Sequence, residues 1–277
     1  MTRVLVLQDC TDKNAQARVS AAVGIYFDGI PAYIPLEGPA GLIEGSLDLL
    51  DMIDAARPLS GVEATGTTVI LCNAAPRASS HGKYPNGTPF GYFWANSSTL
   101  VVSTYNPELL SLVRRMGITD HLQLMEVAEV MAWAAKQGLA NTHEQEAVVN
   151  SQFRSLTFEP FAAWAILKYG EEVPSTHTPL EPSPAPTGKA LRIDNFGNIW
   201  TDYLPADVAF KEGGTLKLAN GEVAPCYRRL ADVPPGELAV VIGSSGYAEK
   251  RFLMVTIQGG NAKARLGAHV GMPIIAA

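Results

Sequence analysis

The segment EEVPSTHTPLEPSPAPTG, residues 171–188, decides how the chain is divided. It holds five prolines with several serines and threonines, and it shows no apolar periodicity. Such a composition suits an extended connector, here residues 172–187. The patterning differs on its two sides. Ahead of it, short apolar runs alternate with helical periodicities; behind it, strand-like runs and turn signals follow one another. The chain therefore reads as an α/β domain over residues 1–171 and a small all-β domain, a barrel or sandwich, over residues 188–277.

On the N-terminal side, the apolar run Val4 to Leu7 predicts a buried strand, the polar stretch Gln8 to Asn14 a loop, and Ala17 to Phe27 a helix. Ala32 to Pro35 predicts a second strand. Leu42, Ile43, Leu47, Leu50, Met52 and Ile53 fall at helical spacing within Ala40 to Ala56, and Thr67 to Cys72 reads as a third strand. Strands follow at Gly91 to Trp94 and Leu100 to Ser103, then a helix opening near Asn106 with Pro107 at an early position and running to Met116. Leu122 to Val127 predicts a strand, and Val127 to Gly138 and Glu159 to Gly170 predict helices. Alternating elements of this kind favour a sheet with parallel members, whose ligands collect at the carboxyl ends of strands. Chemistry is thus expected in the loops after Leu7 and after Cys72. Arg77 to Thr88, with its Asn86-Gly87 turn signal, reads as an exposed excursion.

On the C-terminal side, six short strands are expected: Ala190 to Ile193, Asn198 to Tyr203, Thr215 to Leu218, Glu222 to Cys226, Leu238 to Ile242 and Phe252 to Ile257. Asn220-Gly221 between two of them is a hairpin signal.

Composition narrows the function classes. A length of 277 residues suits one or two domains, and 47% apolar residues suffice for a large core. The net charge of −6 argues against a phosphate-tracking surface, so a small molecule is the expected partner and nucleic acid is not. Cys10, Cys72 and Cys226 are too few and too scattered for a disulfide framework or a zinc site, so no metal is expected. A reducing cytoplasm fits that usage. Val4 to Leu7 is too short for a signal peptide, and no run of 18 apolar residues exists, so no membrane association is expected.

Three clusters can carry chemistry. In Gln8-Asp9-Cys10-Thr11-Asp12-Lys13-Asn14, directly past the first strand, Asp9 can accept both hydroxyls of a ribose, although Asp and Asn there also suit capping of the next helix. In Ile193-Asp194-Asn195-Phe196-Gly197-Asn198-Ile199-Trp200, a carboxylate, two amides and an aromatic share a tight turn able to hold an amine and an adenine edge; Asp and Asn also make turns for backbone reasons. The third cluster is Gly243-Ser244-Ser245-Gly246-Tyr247 followed by Gln258-Gly259-Gly260-Asn261-Ala262. Its glycines permit close approach of a ligand to backbone, or only a turn. The five histidines form no triad by spacing; His81, in the excursion, is the one near the loop after Cys72.

In their order, Ile193 to Thr201, Ser244 to Tyr247 and Gly259 to Ala262 resemble the C-terminal domain of the S-adenosylmethionine hydroxide adenosyltransferase family, which includes the fluorinases and chlorinases. One departure is an insertion near Ala248 to Arg251. The resemblance implies that Asp194 binds the methionine amino group, that Asn198 meets the adenine edge and Trp200 lines the pocket. It places Ser244 and Ser245 near the amino-acid end, and the backbone at Gly259 against adenine. It also implies a homotrimer, with ligand held by the N-terminal domain of one subunit and the C-terminal domain of a neighbour.

In the N-terminal half the resemblance is fainter. Asp9 stands where the family has its ribose-binding Asp, the Phe-Gly of the family motif is missing, and Asn14 stands where a second Asp belongs. The family hydrolases carry an Asp in the loop after the third strand, an Arg nearby and a later His. Here Asn73 takes the Asp position, Arg77 can supply the guanidinium, and no His appears near Gln152-Phe153-Arg154. The function implied is water-driven cleavage of the C5'–S bond of S-adenosylmethionine to adenosine and methionine, with that molecule as substrate and no cofactor. The alternatives are an enzyme using the adenosyl pocket for another substrate or nucleophile, and a non-catalytic nucleoside-binding protein.

Overall fold

The computed structural model of the protein describes residues 2–36, 41–74 and 88–276. By packing, the chain forms two units, Met1–Gly41 with Ala55–Pro182, and Leu42–Asp54 with Ser183–Ala277.

The chain begins with β1 (Thr2–Gln8), α1 (Lys13–Tyr26) and β2 (Ala32–Pro35). Asp12 starts α1 because its carboxylate accepts from the amides of Asn14 and Ala15, at 3.0 and 2.9 Å. Next comes α2 (Gly41–Ala55), which packs with the second unit, followed by β3 (Thr67–Asn73), β4 (Phe90–Asn96) and β5 (Thr99–Thr104). Then come α3 (Ser111–Arg115), β6 (His121–Met125), α4 (Val127–Lys136), α5 (Thr142–Val149), α6 (Arg154–Thr157), α7 (Glu159–Tyr169) and β7 (Thr176–Pro179).

Among the described residues the first sheet has seven strands in the order β2, β1, β3, β5, β4, β6, β7. β1 pairs in parallel with β2 and β3, and β3 with β5; β4, β6 and β7 join antiparallel. Strand order reverses direction at β1, so the ends of β1 and β3 form the crevice where α/β sheets take their ligands. The core on one face of this sheet gathers Val4 and Val6, Val69 and Leu71, Leu100 and Val102, with Phe158, Ala162 and Ile166 near or on α7. Burying each of the Val, Leu, Ile and Phe side chains among these contributes roughly 1.5–3 kcal/mol.

Two local expectations change, and one helix goes unannounced. Asn106 does not open a helix; its side-chain oxygen accepts from the amides of Glu108 and Leu109, a turn that delays α3 to Ser111. Helix α5 has no buried residue, so apolar periodicity cannot announce it; its signal is the Asn141–Glu144 capping box. Inside the segment expected as an extended connector, β7 pairs with β6, Leu122 opposite Thr178. Its position at the sheet edge is where a strand ending in Pro179 is tolerated.

The second unit contains β8 (Ala190–Ile193), β9 (Ile199–Thr201), β10 (Thr215–Lys217), β11 (Val223–Tyr227), β12 (Leu238–Tyr247), β13 (Lys250–Ile257) and α8 (Ala262–Leu266). Its sheet runs β10, β11, β12, β13, β9, β8. The expected hairpin at Asn220-Gly221 joins β10 to β11 antiparallel. The C-terminal tail bridges Pro273 to Lys189 beside β8 and Ile275 to Leu218 beside β10, linking the two edges of the sheet. The α/β unit and the all-β sheet are the fold class read from the sequence. No helix among the described residues is long and apolar enough to cross a membrane.

Candidate functional site

At the ends of β1 and β3, a cavity of about 660 Å³ is lined by Asp9, Cys10, Thr11, Asp12, Leu36, Asn73, Thr88, Phe90, Thr104 and residues 152–155. The strand ends hold it open. The Asp9 amide donates to the Asn73 carbonyl at 3.0 Å, and Asn73 Nδ2 donates to Asp9 Oδ1 at 3.3 Å. Thr104, ending β5, fixes the start of the next loop: its Oγ1 donates to the Ala74 carbonyl and accepts from the Ala74 amide, at 3.0 and 3.1 Å. Asp9 and Asn73 are thus brought together as the sequence suggested. Asn14 is exposed on α1 and does not line the cavity. Arg77 and His81 lie outside the described residues.

One group lining this cavity and one buried behind the strand ends were missed from sequence. Arg154 lines it half-buried, donating from Nη2 to the Thr88 carbonyl at 3.1 Å, with its guanidinium 5.8 Å from the centre of the Phe90 ring. Burial lowers its pKa, opposed by the charge of Glu126, and a guanidinium stays a cation in any case. Behind the strand ends lies Glu159, 2% exposed, with Oε1 lacking a hydrogen-bond partner among the described residues. Burial pushes its carboxyl well above the usual range; a hydrogen bond from the Cys72 backbone works the other way, and the charge of Asp9 adds to the rise. Arg154 had a signal, its place in the segment where the family has a His; a lone Glu opening an apolar helix had none.

In the second unit two of the three motif stretches, Ile193 to Thr201 and Gly259 to Ala262, meet at one end of the sheet, whereas Ser244 to Tyr247 lies toward the other end of the β12–β13 pair. Asp194 Oδ1 accepts from the amides of Phe196 and Asn198 at 3.0 and 2.8 Å, and Oδ2 accepts from Asn198 Nδ2 at 2.9 Å. Asn198 Oδ1 in turn accepts from Thr256 Oγ1 at 2.5 Å. Gly197 adopts φ +83°, and a Cβ there would overlap the Asn261 side chain. That side chain caps α8 by accepting from the Ala264 amide at 2.7 Å, while the Lys263 amide donates to the Gly197 carbonyl at 2.9 Å. Gly259 takes φ +71° in the turn leading to it.

Along the same strands, Trp200 is buried beneath the Arg192 guanidinium, 5.0 Å from ring centre to cation. Its Nε1 has no hydrogen-bond partner among the described residues and stands 3.0 Å from where a Cβ on Gly243 would sit. Ser244 is exposed; Ser245 is buried and engaged. Ser245 Oγ accepts from Arg192 Nη2 at 2.7 Å and donates to Asp51 Oδ2 at 2.8 Å. Asp51 also accepts from the Gly246 amide at 3.1 Å, and Asp48 pairs with Arg192 at 2.8 Å. Burial outweighs that pairing, so the Asp48 carboxyl lies above its ordinary range. One turn on, Asp54 accepts from the Ala248 amide at 2.8 Å and pairs with Arg251 at 2.7 Å, so the inserted residues are fastened to α2. The triplet Asp48, Asp51, Asp54 was legible only as a polar face of a helix.

Residues 188–275 match the family model described as the SAM hydroxide adenosyltransferase C-terminal domain, bearing out the resemblance carried by the three motifs. Over the whole chain, the protein is similar in structure to an uncharacterized conserved protein from Thermotoga maritima, with TM-score 0.64, 16% identity, and coverage of 98% of each chain. It is likewise similar to a conserved hypothetical protein from Thermus thermophilus, with TM-score 0.62, 21% identity and full coverage of both chains, 100% each. At these identities the likeness is one of fold. No curated protein matches the chain.

Proposed function

We propose that the protein binds S-adenosylmethionine and cleaves its C5'–S bond with water, releasing adenosine and methionine. The match of residues 188–275 to the SAM hydroxide adenosyltransferase C-terminal domain carries this reading. It is supported by the polar cavity holding Asp9 at the reversal of strand order. The water oxygen forms the new bond to C5', the C–S electron pair goes to sulfur, and the proton that the attacking water loses passes to solvent. A sulfonium leaves as a neutral thioether and needs no acid, so no cofactor is called for.

The chain's task is then alignment and exclusion of bulk water. Asp9 takes the ribose hydroxyls. Asn73 holds the water through its amide but cannot accept its proton, and Arg154 or Arg77 supplies the cation that orients it. In the second unit Asp194 takes the amino group, Asn198 and the Gly259 backbone the adenine, with Trp200, Ser244 and Ser245 completing the pocket. A homotrimer and a cytoplasmic site of action belong to the same proposal.

Incubation of the purified protein with S-adenosylmethionine from about pH 6 to about pH 9, followed by chromatography, is the direct test. Adenosine and methionine should appear in equal amounts; no adenosine above the blank overturns the proposal. Light scattering should give three times the chain mass.

The hydrogen bond from Asn73 to Asp9 favours a second reading, a nucleoside-binding protein without turnover, because the position of the family Asp is spent on structure. Calorimetric binding of adenosine or S-adenosylmethionine without product supports it. Turnover of another adenosyl compound in preference to S-adenosylmethionine supports an enzyme of altered substrate.

A further inference from the structure

Glu159, the most buried carboxyl among the described residues, has no part in the reaction above. Glu159 opens α7, which packs on β3 and β5, and its side chain sits in the core directly behind the crevice. One side of its carboxyl is held by the Cys72 backbone, and Oε1 is buried without a partner among the described residues. An ionised carboxylate in that position is a large desolvation cost with one hydrogen bond to offset it, whereas the neutral acid carries a proton to donate.

The groups facing it come from several elements. Asp9, at the end of β1, acts on it through charge. Tyr33, on β2, is acted on by it in turn: the phenol is pushed up to about 12, chiefly by burial, with Ser20 opposing and the charge of Glu159 adding to the rise. That phenol donates to the Gln16 carbonyl at 3.0 Å. The buried Cys72 thiol belongs to β3. Arg154, in the short helix before α7, is turned to the cavity and the Thr88 carbonyl, and Arg18 of α1 lies over Phe153, 5.3 Å from the ring centre.

We propose that Glu159 is a positioning residue for the cavity of the α/β unit: it keeps its proton, so that no further negative charge stands behind the Asp9 carboxylate that meets a ribose. A second negative charge behind Asp9 would repel that carboxylate and displace it from Asn73. Ionisation of Glu159 therefore weakens diol binding, and it does so on the alkaline side because burial and Asp9 both favour the acid form.

The inference rests on the cavity being the nucleoside site, and its test is arranged to separate the two. Infrared titration of the full chain follows the carbonyl stretch of neutral carboxylic acids without any ligand. A band should persist at neutral pH, vanish in Glu159→Gln, and in Asp9→Asn titrate at a midpoint lower by at least about half a pH unit. A band unaffected by Glu159→Gln, or a midpoint unmoved in Asp9→Asn, overturns the proposal. Asp9→Asn retains Glu159, so this arm survives should Glu159→Gln not fold.

Calorimetry with adenosine then reads the positioning role. Affinity of the native chain should fall several-fold, on the order of 5–10, as pH rises through the infrared midpoint, while Glu159→Gln stays level. Parallel profiles in the two proteins overturn the role. Absence of adenosine binding to either protein defeats the nucleoside reading alone, and the infrared result still decides the state of Glu159 and its coupling to Asp9.

Discussion

Asn73 and Asp9 hold each other twice, side chain to side chain at 3.3 Å and backbone to backbone at 3.0 Å, at the point where the strand order reverses. The amide is the donor in the first of these, so the pair carries one negative charge, and Asn73 has a second N–H with no hydrogen-bond partner among the described residues. That arrangement suits ribose capture and the holding of a water. It removes the base that a carboxylate at position 73 would provide.

Restoring that carboxylate should be harmful at neutral pH. Asn73→Asp places two carboxylates within hydrogen-bond reach, and one of them must hold a proton to remain there. A folded-state pKa raised in this way gives stability that is present below the unfolded value and lost as pH rises through the folded one. Urea denaturation should show the variant near native stability at about pH 5 and weaker by about 1–3 kcal/mol at about pH 8.

Glu159→Gln should act in the opposite sense. The native acid is raised by burial, the Cys72 backbone offsetting in part and Asp9 adding to it, so the native chain loses stability as pH climbs above the ordinary carboxylate range. The slope is at most about 1.4 kcal/mol per pH unit for one group. Thermal melts of the two proteins should diverge with rising pH, the variant being the more stable in alkali; curves that stay parallel contradict this account.

Arg154 is the one cation among the described cavity-lining residues. Arg154→Gln removes the charge while leaving an amide able to reach the Thr88 carbonyl. Under the proposed reaction, S-adenosylmethionine turnover should drop at least tenfold with little change in KM, since the charge is needed for alignment of water. Initial-rate assays of adenosine release decide it.

Ser245→Ala deletes one hydrogen bond accepted from Arg192 and one donated to Asp51, while Arg192 and Asp51 remain paired at 3.0 Å. The loss should be about 1–2 kcal/mol in denaturant titration. Gly197→Ala should do more, about 2 kcal/mol or above, because a left-handed φ and the Asn261 side chain both oppose a Cβ.

How much was legible in the sequence differs between the units. Strands with contiguous apolar runs, such as Thr67–Asn73, and hairpins with Asn-Gly turns declared themselves, since burial on both faces or a left-handed turn leaves a compositional trace. The Asp194 to Asn198 turn was visible for the same reason. Helix α5, which buries nothing, and β7, a proline-bearing edge strand, leave no such trace. At the cavity, Asp9 and Asn73 could be read from their place after strands, whereas Glu159 acts through a contact more than eighty residues distant in the chain. The assignment of α2 to the second unit was equally hidden, because its apolar stripe is that of any packed helix.

That assignment bears on how the protein can be cut. Helix α2 lies between β2 and β3 in the chain, yet supplies the carboxylates that meet Arg192, Ser245, the Gly246 and Ala248 amides and Arg251. The boundary at residue 183 is thus a seam in sequence only. A fragment starting there would contain every motif of the family match and lack Asp48, Asp51 and Asp54, leaving two guanidiniums and two amides without their carboxylate acceptors. Such a fragment should be recovered unfolded or aggregated, and adding a peptide spanning residues 41–55 should improve its recovery. The β unit is in this sense a discontinuous module, completed by a helix from earlier in the chain.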